Sequence, residues 1–149
     1  MKSDHSVSAG AKAVNAAVSL ARDASSGKTL TLRLEAARFD SAVVLHCHGQ
    51  VISGSEARAL ASLISEVLPS ARRMVVNLDG VVALDSDGLG ELVLTHMWAE
   101  AAGFELKYAS LSDSLRRLLE STNLVSVFDV YSSVPEAMAA MHQQEVTVA

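Results

Sequence analysis

The 149-residue sequence contains a single cysteine, Cys47, which excludes a disulfide bond within the chain. Its cysteine usage therefore gives no indication of an oxidising compartment. No apolar run approaches the roughly 20 residues that a membrane-spanning helix needs. The Ala/Val-rich segment Ala13–Ala21 is short for a secretory signal peptide and is interrupted by Asn15 and Ser19. We therefore expect a cytoplasmic protein that does not insert into a membrane.

Positive charge is also scarce. The chain has 12 Lys and Arg against 17 Asp and Glu, which gives a formal net charge of -5. Its basic residues are scattered, and arginines stand next to each other only at Arg72–Arg73 and Arg116–Arg117. A protein that binds DNA or RNA carries a concentrated basic stripe. The composition therefore predicts no nucleic-acid partner.

The usual ligand-binding motifs are incomplete. The segment His46-Cys47-His48 puts two imidazoles on one face of a strand, but the nearby sequence supplies no fourth ligand for a metal ion. The segment Gly88-Leu89-Gly90 lacks the third glycine of a dinucleotide fingerprint and the lysine of a P-loop. We expect neither a metal nor a cofactor.

A nucleophile with a base beside it is missing too. Ser86 and His96 are the obvious pair, but about three helical turns separate them, which is roughly 15 Å along the helix axis. Ser86 also lacks the Gly-x-Ser-x-Gly setting of the α/β-hydrolases. The sequence therefore predicts a protein that is not an enzyme.

Residues 1–28 differ in composition from the rest of the chain and form a separate N-terminal extension. They are rich in Ala, Ser and Asp, and Ala24–Gly27 resembles a linker. Between Ala13 and Ala21, Ala and Val recur at helical spacing and predict one short amphipathic helix. Two interpretations stay open: a loosely attached arm, or a helix that packs on the domain or on a second copy in a homodimer.

Residues 29–149 have the pattern of one α/β domain. Alternating leucines from Leu30 and the Val-rich run Ala42–Cys47 predict two strands in a hairpin. A capping box at Ser53-x-x-Glu56 begins the first helix, and Pro69 is expected to end it. The remaining predicted elements are strand Met74–Leu78, helix Ser86–Ala102, strand Phe104–Ala109, a helix from Ser112 or Asp113, strand Val125–Tyr131, and a helix beginning at Ser133-x-x-Glu136.

The predicted order is β-β-α-β-α-β-α-β-α. Strands that alternate with helices form a mainly parallel sheet, and the opening hairpin makes the sheet mixed.

The segment Val75–Gly90 carries most of the functional information. A buried strand leads into a turn, and Ser86 lies between Asp85 and Asp87 where the next helix begins. Ser and Asp are favoured at a helix N-terminus because their side chains accept hydrogen bonds from its unpaired N–H groups. Asp85 or Ser86 is therefore predicted to be an N-cap, which contributes about 1 kcal/mol.

The turn Leu84–Gly90, the strand before it and the helix after it resemble the STAS domain. The resemblance extends from Thr29 to His142 and includes the later runs Leu115–Leu119, Asn123-Leu124, Phe128–Tyr131 and Pro135–Ala137. It implies a mixed sheet with helices packed mainly on one face.

In the anti-sigma factor antagonists, one branch of this family, the serine at the position of Ser86 is phosphorylated by an anti-sigma factor that is also a serine kinase. The resemblance implies that the unphosphorylated protein binds the anti-sigma factor. Phosphorylation releases the partner, and a phosphatase resets the switch. Asp79, Asp85, Asp87 and Gly88 would then shape the switch loop.

The sequence departs from the pattern of the antagonist branch at two places. Asp87 stands where the family usually has Ser, Thr or a small residue, and Gly49–Ile52 contains no acidic residue. These departures leave two alternatives open. One is a STAS docking or regulatory subunit of a transporter complex that works without phosphorylation. The other is a stand-alone sensor that the N-terminal arm or a small ligand controls.

The helix after Ser86 is apolar on two sides. Leu89, Leu92 and His96 share one side, while a second stripe contains Val93, Leu94, Met97 and Ala101, with Trp98 at its edge. Two interpretations stay open: one wide core face, or a core face and a separate patch that contacts a partner. We assign Leu89, Leu92 and His96 to the partner-binding side.

Overall fold

A computed structural model of the chain describes residues 11–19, 32–39 and 42–148. Within these residues it contains eight strands and four helices. They are β1 (Ala11–Ser19), β2 (Arg33–Phe39), β3 (Ala42–His48), β4 (Val51–Ile52), α1 (Gly54–Ala71), β5 (Arg73–Asn77), β6 (Ala83–Leu84), α2 (Ser86–Ala101), β7 (Glu105–Ala109), α3 (Asp113–Ser121), β8 (Val130–Tyr131) and α4 (Val134–Val148).

Six strands form the main sheet in the order β1-β2-β3-β5-β7-β8. The first three are antiparallel, and β3, β5, β7 and β8 run parallel to their neighbours. The strands β4 and β6 form a separate parallel pair. The predicted hairpin, the mixed sheet and the α/β class are confirmed. Apart from β1, β4 and β6, the elements follow the predicted order.

Helices cover both faces of the main sheet, but unequally. Because side chains alternate along a strand, each strand contributes to two separate cores. The larger core lies between the sheet and the helices α1, α2 and α3. Its members include Leu45, Met74, Val76, Leu60, Ile64, Leu92 and Leu115. The smaller core lies under α4 and contains Ala42, Val44, Val75, Ala109, Ala137 and Met141. Three of the four described helices thus share one face, as predicted.

The N-terminal extension differs from the prediction. Ala11–Ser19 is a strand that pairs with β2, and not the amphipathic helix that its Ala and Val spacing suggested. Without β1, β2 would be the edge strand of the sheet, and the backbone groups on its outer side would be unpaired. β1 forms hydrogen bonds with these groups. Local periodicity does not reveal such a pairing between distant segments. The linker-like segment Ala24–Gly27 and the beginning of the predicted first strand, Leu30 and Thr31, lie outside the described residues.

Two predicted boundaries are wrong. Pro69 lies inside α1, which continues to Ala71 and ends where Arg72 adopts a left-handed conformation with φ 71°. Most of the predicted strand Val125–Tyr131 is turn, and only its last two residues pair with β7. The capping box is confirmed, because the Ser53 N–H donates to Oε1 of Glu56 at 2.9 Å.

Candidate functional site

The short strands β4 and β6 bring the beginnings of two helices together. Val51 pairs with Ala83 and Ile52 pairs with Leu84. Each strand is followed at once by an N-cap, Ser53 for α1 and Asp85 for α2. The first turns of α1 and α2 therefore lie side by side, and Ser86 is the first residue of α2.

Asp85 and Gly88 hold this turn in place. Oδ1 of Asp85 accepts a hydrogen bond from the Gly88 N–H at 2.7 Å, so Asp85 is the N-cap. The Asp85 N–H donates to the Ile52 carbonyl at 3.2 Å, which ties the cap to β4. A Cβ at position 88 would lie 2.9 Å from the same carbonyl oxygen. Only glycine fits there without displacing the backbone.

The other members of the predicted switch loop lie on the surface. Ser86 and Asp87 are exposed in the first turn of α2. Asp79 is exposed in the turn after β5, where its N–H donates to Oδ1 of Asn77 at 3.2 Å. Ser86 therefore lies on the surface, with acidic residues on both sides of it in the sequence.

Two of the three residues assigned to the partner-binding side pack inward. Leu92 is 3% exposed and His96 is 2% exposed, so that assignment is wrong for both. The His96 ring lies 5.4 Å from the ring of Phe128 and 6.0 Å from that of Tyr108. Leu89 is half-buried. It lines an apolar cavity of about 20 Å³, roughly the room of one water molecule.

The opposite stripe of α2 is the exposed one. Leu94 is 64%, Met97 55% and Trp98 38% exposed. We call these three residues the outer stripe. Between this stripe and α1 runs an open groove of about 420 Å³. Its lining residues are Arg58, Ala61, Ser62, Ser65, Glu91, Leu94, Thr95 and Trp98. The sequence indicated that α2 has two apolar sides, but not which side the rest of the fold would cover.

The groove continues into a second open depression at Ser86. Arg58, Glu91 and Leu94 line both, and Ser86 and Asp87 line the second one, which measures about 750 Å³. Arg58 comes from the first turns of α1 and supplies the positive charge among these lining residues. Local sequence patterns do not predict this position, because nothing near Arg58 in the chain relates it to a residue 28 positions later.

The site combines polar, charged and apolar groups on one open surface. It presents a serine hydroxyl, one guanidinium, several carboxylates and the outer stripe, while His96 is buried in the core. Within the described part of the chain, no three His, Cys, Asp or Glu residues are placed to hold a metal ion. Among the same residues, no helix is long and apolar enough to cross a bilayer.

Solved structures of other proteins share this fold. An anti-sigma factor antagonist from Mycobacterium paratuberculosis matches with a TM-score of 0.65 and 23% sequence identity, over 74% of this chain and 93% of that one. A putative anti-sigma factor antagonist from Thermotoga maritima matches with a TM-score of 0.63 and 22% identity, over 72% and 92%. A sulfate transporter family protein from Wolinella succinogenes matches with a TM-score of 0.60 and 16% identity, over 67% and 84%.

At such identities these likenesses establish a common fold. The sequence itself establishes the family, because residues 33–137 match the family model of the STAS domain. That match spans most of the chain, including the turn with Ser86 and the helix that follows it. This chain therefore belongs to the STAS domain family.

Proposed function

We propose that this protein is a cytoplasmic anti-sigma factor antagonist, which binds an anti-sigma factor with serine kinase activity and is released when Ser86 is phosphorylated. The observation that carries the proposal is the exposed Ser86 at the first position of α2, next to a groove with the apolar outer stripe along it. The protein acts by binding, and catalysis belongs to the kinase and to the phosphatase that restores the serine.

The phosphorylation step is an ordinary phosphoryl transfer. A bond forms between Oγ of Ser86 and the γ-phosphorus of ATP as the bond to ADP breaks, and a base of the kinase takes the hydroxyl proton. The phosphatase then returns the hydroxyl by hydrolysis, which releases inorganic phosphate.

The charge of the phosphate explains the release. A phosphoserine brings a charge of about -1.5 to -2 to a surface that already holds Asp85 and Asp87. Burying an uncompensated charge in an interface costs about 3–5 kcal/mol, or roughly two to four decades of affinity. In the free protein the group stays in water, so the domain remains folded. The switch therefore acts on the complex and not on the fold.

A second candidate is a docking or regulatory subunit of a transporter complex that works without phosphorylation. Asp87 favours it, because a fixed negative charge next to Ser86 opposes the arrival of a phosphate. The likeness to the sulfate transporter family protein is compatible with it. In this function the outer stripe would be a constant contact surface.

An affinity capture from native lysate separates the two candidates. The baits are the wild-type chain, Ser86→Ala, Ser86→Glu and Ser70→Glu, and the retained proteins are identified by mass spectrometry. Ser70 is exposed near the other end of α1, so Ser70→Glu adds the same charge away from the site. We expect a partner with a kinase-type ATP-binding fold on every bait except Ser86→Glu.

The purified partner must also transfer phosphate from ATP to Ser86 and not to the Ser86→Ala chain. Equal retention of one partner by all four baits would contradict the phosphorylation switch. If that partner is an ABC-type ATPase, the transporter function takes its place.

A further inference from the structure

Gly54 marks the point where the first turns of α1 and α2 touch. A Cβ built on this buried glycine would lie 3.0 Å from Cβ of Asp87. The same position is 3.5 Å from Nη1 of Arg58 and 3.8 Å from Oδ2 of Asp87. The guanidinium of Arg58 and the carboxylate of Asp87 therefore both lie within 4 Å of the position of this Cβ. Ser86 is the residue directly before Asp87.

The charges around Ser86 are unbalanced without Arg58. The negatively charged residues Asp87 and Glu91 line the same depression as Ser86, and Asp85, the N-cap of α2, comes directly before Ser86 in the chain. Arg58 is exposed, and its Nη2 donates to Oγ of Ser55 at 3.3 Å. This distance is at the long end of the hydrogen-bond range, so the contact holds the side chain only weakly. The guanidinium can turn toward a new anion at small cost.

We propose that Arg58 binds the phosphate of phosphorylated Ser86. The inference rests on the proposed function, in which that serine is modified. A guanidinium presents paired N–H donors that match two phosphate oxygens, which makes arginine well suited to this contact. Arg58 offsets the repulsion between the phosphate and Asp87 and holds the phosphate against the junction of α1 and α2 in its doubly charged form.

This role explains how Ser86 functions next to Asp87. In the unphosphorylated chain the guanidinium lies near the carboxylate of Asp87, and in the phosphorylated chain the more highly charged phosphate draws it away. The exchange requires only rotation of the exposed side chains of Arg58 and phosphorylated Ser86. Arg58 balances one of the two charges of the phosphate dianion, so the surface beside Asp85 and Asp87 still gains an uncompensated negative charge that opposes the complex.

The test measures the second pKa of the phosphate, which is about 6 for a free phosphoserine. Phosphoserine is placed at position 86 of the full chain during translation, and its pKa is obtained from the pH dependence of the ³¹P chemical shift. A nearby cation stabilises the dianion and lowers this pKa, so Arg58→Ala should raise it by about 0.5 unit. Asp87→Asn removes a like charge and should lower it by a similar amount.

The control is Arg38→Ala. Arg38 pairs with Val43, which pairs with Met74 near the beginning of β5, at the end of the sheet opposite Ser86. Circular dichroism establishes that each variant is folded. A second pKa that is the same in the wild type and Arg58→Ala, or that moves equally in Arg38→Ala, overturns the inference. The phosphate is installed without a kinase, so a failure of the capture experiment leaves this result unaffected.

Discussion

The turn before α2 requires a residue without a side chain as well as charged residues. Gly88 lies against the backbone of β4, because a Cβ there would come within 2.9 Å of the Ile52 carbonyl oxygen and 3.1 Å of Oδ1 of Asp85. Gly90 is two residues later in the same helix, and a Cβ at that position would meet nothing within 4 Å. The two glycines therefore form a matched pair for testing how closely α2 approaches β4.

We expect Gly88→Ala and Gly90→Ala to change stability in opposite directions. The first forces backbone to move and should lower the free energy of unfolding by about 1–3 kcal/mol. The second replaces an exposed glycine inside a helix and should raise it by about 0.5–1 kcal/mol. Urea denaturation followed by circular dichroism measures both. A Gly88→Ala chain as stable as the wild type would show that α2 and β4 are further apart than described.

At this scale the sequence predicted what depends on near neighbours. The N-cap, predicted at Asp85 or Ser86 and found at Asp85, and the capping box at Ser53 each follow from a few consecutive residues. The position of Arg58 beside Asp87 does not, because it depends on how two helices pack through Gly54. Such a contact is a property of tertiary structure and leaves no trace in local spacing.

The orientation of α2 decides which residues a partner can touch. The side with Leu92 and His96 faces the sheet, because α2 contacts β7 and the rings of Tyr108 and Phe128 pack on the imidazole. Among the residues that the structure describes, α1 borders the opposite side, and Leu94 and Met97 are exposed there. Both sides are apolar, so periodicity predicted the helix but not its rotation about its axis.

Substitutions at Leu92 and Leu94 test this orientation. Leu92→Ala creates a cavity in the core and should lower the free energy of unfolding by about 2–5 kcal/mol. Leu94→Ala removes an exposed side chain and should change it by no more than about 0.5 kcal/mol. Urea denaturation of both variants gives the comparison. Equal losses would contradict the assignment of Leu94 to the outer stripe.

Leu94→Ala also has a use in the capture experiment. The stability of this variant should match that of the wild type. Weaker retention of the partner by the Leu94→Ala bait would therefore identify the outer stripe as a contact surface. Retention equal to that of the wild type would place the contact elsewhere on the domain.

The elements that the sequence failed to predict are those with the least local signal. The strands β4 and β6 have two residues each, too few to show a period of two, yet their pairing sets the position of Ser86. The strand β1 has enough residues, but its Ala and Val positions fit a helical period as well. Longer elements with a cap at one end, such as α1 and α2, were predicted to within a few residues.

Across the whole molecule, the two faces of the sheet bury ionisable groups in different ways. Under α4, burial disfavours the charged form of Lys107, but its 2.7 Å hydrogen bond to Asp129 and the charge of that carboxylate outweigh this. The pKa of Lys107 is therefore raised. On the opposite face, burial raises the pKa of Tyr108 and Cys47, because neither anion is stable in the larger core.

These shifts have the same sign, and they make stability fall in alkaline solution. A group whose pKa is higher in the folded chain binds more protons there than in the unfolded chain. Its contribution is complete below the unfolded pKa and is lost as the pH rises toward the folded pKa. The contribution of Cys47 declines first, because the pKa of its thiol is 9.0 in the unfolded chain, the lowest of the three, and is raised to about 12 in the folded chain. Lys107 and Tyr108 follow above about pH 10.

Cys47→Ala isolates the first part of this decline. Between pH 8 and pH 10 the unfolded thiol ionises while the buried thiol does not, so the wild type should lose about 1 kcal/mol more than the variant. Urea denaturation at pH 8, 9 and 10 under reducing conditions gives the two slopes. The alanine itself lowers stability by an amount that does not depend on pH, so only the difference in slope counts. Parallel slopes would mean that the thiolate is accommodated in the folded chain, and that the larger core admits water at Cys47.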